Sequence, residues 1–470
     1  MSSQLLASEK QIVRDYVKGK KRFPEISPPR RPAAFDNPAS EEQLGAFRDL
    51  DRRKTVTADI ELIEELQKKH KSIPCFLEAG PRKKLVFGVP NNGQSLNVAV
   101  VTAGGLAPGL NSVVHSIVER HDKTYAKLLG NGKVYGFLDS FNGLAGDSPS
   151  WMQLHSDDTE KWLDKGGSEL GNMRGIKENS IDDWAKSISE KLKRWSINIL
   201  YVIGGDGSLG AAHAIARAAR DTIVVGIPKT MDNDILWVWQ SFGFNTAVER
   251  AAHFINALHD EVQGTRRVCV VEFFGAQSGF VAANAALASG HVDLVMIPEV
   301  FGTNGMTAER AIEILREYRK YLRRRVLEKH SNAHGLVVLA EGVATELERL
   351  NVKLNGKNVR KDQSAEQITT FLGDGLFTMA NRPVITFHVE PRYYVRAYKA
   401  NAHDQVYCKR LGALAVDNAL AGFTDFMISQ WLTEYVLVPL ELVAGGRKRV
   451  PTGGIFWKQV VASTGQPSFP

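Results

Sequence analysis

Short runs of apolar and β-branched residues recur along most of the chain, and the stretches between several of them carry apolar residues at helical spacing. The runs are NVAVVTA (97–103), KVYGFL (133–138), NILYVIG (198–204), TIVVGI (222–227), RVCVVEF (267–273), DLVMI (293–297), GLVVLA (335–340) and VITFHV (384–389). Strands that are apolar at nearly every position, rather than at alternate ones, are strands buried on both faces, as in parallel sheets. Helices between them, such as Gly210–Arg220 and Met306–Glu328, then cover those faces. The pattern predicts an α/β fold of two doubly wound, mainly parallel-sheet domains with an N-terminal extension. We expect the extension at residues 1–95, a first domain at 96–235 completed by part of 409–470, and a second at 236–408.

The extension reads differently from the rest. It is Pro-rich between Phe23 and Pro38, highly charged up to His70 and periodic only over Ala58–Lys69. There Asp59 is placed to cap a short helix with Ile60, Ile63 and Leu66 on one face. Packing or subunit contact is its expected role.

Composition narrows the field without deciding it. With 470 residues, 24% charged and 43% hydrophobic, the chain is of ordinary globular make-up. It has no uninterrupted apolar window long enough for a membrane helix, and its start, MSSQLLASEKQIVRDYVKGKKR, is too charged for a signal peptide. The expected address is cytoplasmic, with no membrane partner. Cys75, Cys269 and Cys408 are far apart and the twelve histidines lack metal-ligand spacing, so neither a disulfide framework nor a zinc site is expected. The excess of 59 basic over 52 acidic residues suits anionic metabolites as readily as nucleic acid. The basic run REYRKYLRRRVLEKH (316–330) is interleaved with Tyr318, Tyr321 and Leu322 and preceded by Ile314 and Leu315. It reads as the solvated face of an amphipathic helix, not a nucleic-acid site.

Chemistry concentrates in the turns after three of the runs, where doubly wound folds bind ligands. Gly104, Gly105, Leu106, Ala107, Pro108, Gly109 follow the first, a turn that either brings backbone NH groups close to a phosphate or simply reverses the chain tightly. Gly205, Asp206, Gly207, Ser208, Leu209, Gly210 follow NILYVIG and spell G-x-G-x-x-G, so a dinucleotide oxidoreductase has to be weighed. Asp206 argues against it, because a carboxylate beside a bare pyrophosphate is repelled unless a cation such as Mg²⁺ stands between them. The third turn is Pro228, Lys229, Thr230, Met231, Asp232, Asn233, Asp234. Its two carboxylates can divide a base role and a metal role, as phosphoryl transfer requires. No Walker A pattern and no protein-kinase signature occurs.

These motifs, in this order, resemble the phosphofructokinase family. The resemblance rests on TAGGLAPGLN (102–111), GGSELGNMRG (166–175), GGDGS (204–208), PKTMDND (228–234), GFNTAVE (243–249), VVEFFGAQSGF (270–280), IPE (297–299), LAEG (339–342) and EPRYYVR (390–396). FLEAGPRKKLVF (76–87) resembles the longer ATP-dependent branch of trypanosomatids, plants and some bacteria. By that resemblance the reaction is ATP-dependent phosphorylation of the 1-hydroxyl of fructose 6-phosphate. The first domain becomes the nucleotide and phosphate-donor domain, the second the sugar-phosphate domain. Asp232 is implied as the base, flanked by Thr230 and Asp234, and Asp206 as the Mg²⁺ holder, with Asp234 the second metal candidate. Gly104, Arg174, Gly205, Gly207 and Ser208 are implied at the donor. Arg267, Phe274, Gly275, Glu341, Tyr393 and Arg396 are implied at the sugar phosphate, with Arg267 reaching from a neighbouring subunit of a dimer or tetramer.

Two positions bear on the donor. Gly207 leaves room for a nucleotide, where pyrophosphate-dependent members carry Asp; Lys229 is a feature of the pyrophosphate enzymes that the longer ATP-dependent branch shares. The resemblance therefore favours ATP, with pyrophosphate the alternative. The chain departs from most members at Phe274, Gly275, Ala276, where Met-Gly-Arg is usual, at Leu106 in place of Asp, and at Phe387 or His388 in place of a cation. An arginine expected on the transferring phosphoryl group is missing at Ala276, and Lys229 is a candidate to replace it. The same departure motivates the other alternative, a weakly active regulatory subunit that binds phosphosugars. The Gly-, Arg- and Lys-rich tail from Ala444 has the charge to reach over a phosphate site, but the sequence does not place it.

Overall fold

A computed structural model describes residues 7–18, 27–48, 52–57, 60–69, 71–89, 95–146, 148–173, 180–377, 383–443 and 446–469. The strands of its two main sheets are, in chain order, β1 (Arg53–Thr55), β2 (Cys75–Glu78), β3 (Asn97–Thr102), β4 (Val134–Phe137), β5 (Trp151–Gln153), β6 (Ile197–Gly204), β7 (Ile223–Pro228), β8 (Val268–Phe273), β9 (Leu294–Met296), β10 (Gly335–Ala340), β11 (Thr386–Val389), β12 (Phe426–Trp431) and β13 (Glu434–Pro439). Among the described residues the larger sheet runs β1-β2-β13-β12-β7-β6-β3-β4-β5 and the smaller β9-β10-β8-β11. The five central strands of the larger sheet, β12, β7, β6, β3 and β4, are parallel. Its margins are antiparallel, β5 on one side and β13, β2 and β1 on the other. The smaller sheet is wholly parallel. This is the α/β architecture expected from the apolar runs.

The helices that matter to the site are α1 (Ala7–Val17), α2 (Ile60–Lys68), α3 (Leu110–Glu119), α4 (Asp206–Ala218), α5 (Phe244–Thr265), α6 (Ala308–Glu328) and α7 (Ala402–Leu420). Both faces of the larger sheet are covered, so on β6 Leu200 and Val202 enter one core while Tyr201 and Ile203 enter the other. A third core gathers Val270 and Leu336 of the smaller sheet with Ile255 of α5 and Tyr318 of α6. Each such side chain contributes about 1.5–3 kcal/mol by burial, which is why the strands read as unbroken apolar runs. On α6 the residues Ile314, Leu315, Tyr318, Tyr321 and Leu322 are buried, while Arg316, Lys320, Arg323 and Arg324 are exposed. The basic run is thus a solvated face.

Three elements differ from the sequence reading. The first 95 residues do more than precede the sheets: β1 and β2 extend the larger one, and Leu62 and Leu66 of α2 share a core with Val13 and Val17 of α1. The cap expected at Asp59 lies outside the described residues. Helix α1 breaks the periodicity rule because Glu9, on its inner side, is only 1% exposed. Strands β12 and β13 are absent from the apolar runs: Ser429 and Gln430 interrupt β12, and β13 opens on Glu434.

Candidate active site

Five parallel strands, drawn from both sheets, end on one cleft. Gly104 follows β3; Gly205 and Asp206 follow β6; Lys229, Thr230, Asp232 and Asp234 follow β7; Phe274 and Ala276 follow β8; Glu341 follows β10. All of them line a single cavity of about 810 Å³, at the carboxyl ends of the strands as open α/β sheets dictate.

The glycine turns are shaped by close approach. Gly104 has φ +87°, and a Cβ there would lie 3.3 Å from Lys229 Nζ and 3.7 Å from Ser208 Oγ. The Asn172 amide donates to the carbonyls of Gly104 and Gly105, both at 2.9 Å, and Lys229 Nζ donates to the Gly105 carbonyl. At Gly207 a Cβ would meet nothing within 4 Å, so the space beside this residue belongs to the cavity. Gly205 caps α4 and Asp206 is its first residue. Unpaired NH groups and the helix dipole there favour an anion.

The acidic turn is held from several sides. Thr230 Oγ1 donates to Asp234 Oδ1 at 3.0 Å and accepts from the Asp232 NH at 3.1 Å. Ser278, which follows the smaller sheet's β8, donates its hydroxyl to the Asp232 carbonyl at 2.8 Å. Asn233 takes φ +54° and receives Ser241 NH at 3.1 Å and Lys448 Nζ at 2.9 Å on its side-chain oxygen. Burial raises the Asp234 carboxyl, against the opposing pull of Thr230 and Arg447.

On the smaller sheet's side Glu341 pairs with Lys361 at 3.4 Å. The Arg396 guanidinium lies 4.9 Å from the ring centres of both Phe274 and Tyr393. Ala276 holds φ +47° and gives the cavity a methyl group only. Gly104, Gly205, Asp206, Gly207, Ser208, Lys229, Thr230, Asp232, Asp234, Phe274, Glu341 and Arg396 are therefore brought together on one wall or another. Gly275 and Tyr393 are not cavity-lining, and Tyr393 stacks edge-on against Phe274 at 5.9 Å. Arg267 is exposed at the amino end of β8, about 20 Å along the strand from the residues that line the cavity. Arg174 lies outside the described residues.

Some of the cavity's charges were not assigned to it from the sequence. Arg447 lines it and pairs through Nε with Asp206 Oδ2 at 2.8 Å. Asn172 and Ser278 sit inside motifs already quoted, where their neighbours drew attention instead; Lys361 and Arg447 sit in no motif at all.

The tail that carries Arg447 is fastened by Glu299, whose Oε1 accepts from Gly279 NH at 3.0 Å and Val450 NH at 2.9 Å. Burial pushes the Glu299 carboxyl up to about 7, only partly opposed by those two donors. A folded-state pKa above the unfolded value of 4.5 gives stability that is complete below that value and lost as pH rises through about 7. The difference corresponds to roughly 3 kcal/mol. Glu299→Gln should therefore gain on the wild type by that order between pH 5 and 8 in denaturant unfolding; parallel pH profiles would contradict the assignment.

A phosphofructokinase model matches residues 97–419. The chain belongs to the phosphofructokinase family. An ATP-dependent 6-phosphofructokinase of Borreliella burgdorferi is 36% identical over 411 residues, which is 83% of this chain and 85% of that one. Among solved structures, the T-state phosphofructokinase of Pichia pastoris superposes with TM-score 0.57 and 20% identity, over 80% of this chain and 37% of that longer one. A pyrophosphate-dependent phosphofructokinase of Nitrosospira multiformis gives TM-score 0.63 and 17% identity, over 80% of this chain and 94% of that one. At those identities the structures speak to the shared phosphofructokinase fold alone. Arg447 lies beyond the family-matched segment.

Proposed function

We propose that the protein transfers the γ-phosphoryl group of ATP to the 1-hydroxyl of fructose 6-phosphate. One observation carries the reading: Asp206, in a glycine turn open to a polyphosphate, and Asp232, braced from both sheets, face the same cavity. Asp232 takes the hydroxyl proton. Lys229 and Thr230 orient the turn, Gly104, Gly205, Gly207 and Ser208 receive the phosphates, and Glu341 with Arg396 hold the sugar phosphate. Domain roles follow, with the donor on the larger sheet's segments and the sugar phosphate on the smaller's.

Magnesium belongs to the proposal, and the donors suit it. Asp206 and Asp234 offer hard oxygens, and among the described residues no group of three or more His, Cys, Asp or Glu is arranged as a metal cage. An ion of this kind is held by one or two carboxylates and the substrate's own phosphates, and Asp206 and Asp234 both line the cavity. Bound there, it would neutralise charge on the terminal phosphates.

A dimer or tetramer and a cytoplasmic address are parts of the same reading. Arg267, remote from its own cavity, is then supplied to a neighbour's. Among the described residues no helix is long and apolar enough to cross a membrane.

The test is turnover of fructose 6-phosphate with ATP and Mg²⁺, against pyrophosphate as donor and sedoheptulose 7-phosphate as acceptor. ATP with fructose 6-phosphate should win; turnover with pyrophosphate alone would move the donor assignment to Lys229's side, and none with any pair would favour a regulatory subunit. Gly207→Asp should fold normally, since its Cβ meets nothing within 4 Å. It should weaken use of ATP on the order of a hundredfold, because like charges placed together cost several kcal/mol. Unchanged ATP kinetics would show that the donor lies elsewhere.

A further inference from the structure

Phosphoryl transfer without covalent help from the protein depends on cations placed where charge builds up on the transferring group. The cavity is lined by four carboxylates, Asp206, Asp232, Asp234 and Glu341, and by the cations Lys229, Lys361, Arg396 and Arg447. Two of the cations belong to the acceptor side, Lys361 with Glu341 and Arg396 over Phe274 and Tyr393. Lys229 is engaged with the carbonyl of Gly105 in the first glycine turn. Arg447 is paired with Asp206, and its charge also acts on Asp234 and Asp232.

The main chain on either side of Arg447 is fixed to both walls. Arg447 itself bridges Ile235 in an antiparallel pair. Lys448 NH donates to the Asp234 carbonyl at 2.8 Å, and its buried ammonium reaches Asn233 Oδ1 at 2.9 Å and the Val238 carbonyl at 2.6 Å. Arg449 Nη2 donates to Gln277 Oε1 at 3.1 Å, and Val450 NH to Glu299 at 2.9 Å. A surface arginine needs none of this. The bond to Asp206 uses Nε, which leaves the planar edge of the two Nη groups suited to a bidentate phosphate.

We propose that Arg447 is a catalytic residue that neutralises Asp206 before the donor arrives and then binds the oxygens of the phosphoryl group in transit. The inference rests on the phosphoryl-transfer reading above. In the step itself the bond from the γ-phosphorus to the bridging oxygen breaks and one to the sugar oxygen forms. The hydroxyl proton passes to Asp232, the diphosphate leaves with the bridging electron pair, and Arg447 exchanges no proton or electron.

Arg447→Ala should lower kcat about 10²- to 10³-fold, leave the KM for fructose 6-phosphate within about threefold, and regain part of the rate with added guanidine. A second readout is independent of turnover. Free Mn²⁺, titrated by electron paramagnetic resonance without nucleotide, should bind the variant about fivefold more tightly, because the guanidinium no longer competes for Asp206. Arg447→Lys should recover the wild-type Mn²⁺ affinity but only a fraction of kcat. Wild-type turnover in Arg447→Ala overturns the proposal. So does lost turnover with neither tighter Mn²⁺ binding nor guanidine rescue, which would make the tail structural. A wild-type enzyme inactive on fructose 6-phosphate would instead sink the functional reading, and the Mn²⁺ titration would still judge the competition at Asp206.

Discussion

Asp232→Ala should lower kcat with ATP and fructose 6-phosphate by about 10²- to 10⁴-fold, the range for loss of a positioned acid-base group, while leaving the fold intact. The fold should survive because main-chain bonds that the substitution keeps hold this position. The Asp232 NH is bonded to Thr230 Oγ1 and its carbonyl accepts from Ser278 Oγ, and neither bond uses the carboxylate. Asp232→Asn keeps the shape and removes the basicity, so it should be nearly as slow. KM for ATP should change little, since the donor is received by the glycine turns. Thermal unfolding and initial-rate kinetics on the same preparations separate the two effects. A variant within about threefold of wild-type kcat would remove Asp232 from the base role.

Lys448→Met should be the most destabilising single change near the site. Its ammonium is wholly buried and donates to Asn233 Oδ1, the Val238 carbonyl and the Trp239 carbonyl at 2.9, 2.6 and 3.2 Å. It also offsets Glu9, a carboxylate 1% exposed that accepts Trp237 NH at 3.1 Å. Taking away one partner leaves an uncompensated buried group, which costs about 3–5 kcal/mol. The loss should be partly recovered in Glu9→Gln/Lys448→Met, because the second change removes the buried carboxyl that Lys448 offsets. Additive losses in denaturant unfolding would contradict the coupling. Trp237, packed edge-on against Phe76 of β2 at 5.5 Å, extends the same link to the larger sheet's margin. The N-terminal residues thereby help hold the turn that carries Asp232.

The parts of this molecule legible in the sequence are those governed by local rules. A strand buried on both faces has to be apolar throughout, so β3, β6, β7, β8 and β10 could be read directly, and with them the turns that follow. Asp206 announced itself by lying in such a turn among glycines, and Asp232 by sharing one with Lys229, Thr230 and Asp234. Arg447 did not, because its place is set by Lys448, Arg449 and Val450 gripping residues more than 100 positions away, and no periodicity records that. Glu9 was hidden for a related reason: a buried acid in a charged helix resembles a solvated one until its partner, the Trp237 NH, is known. Strands β1 and β2, three and four residues long, are too short to show a period, and they join the sheet through the pairing of β2 with β13.

The central claim is that donor, cation and base meet in one cleft. A crystal structure with Mn²⁺ and a non-hydrolysable ATP analogue tests it most directly. The anomalous Mn²⁺ peak should fall between Asp206 and the terminal phosphates, with the γ-phosphorus between Arg447 and Asp232; a nucleotide bound outside this cavity, or an ion that does not touch Asp206, would contradict the account.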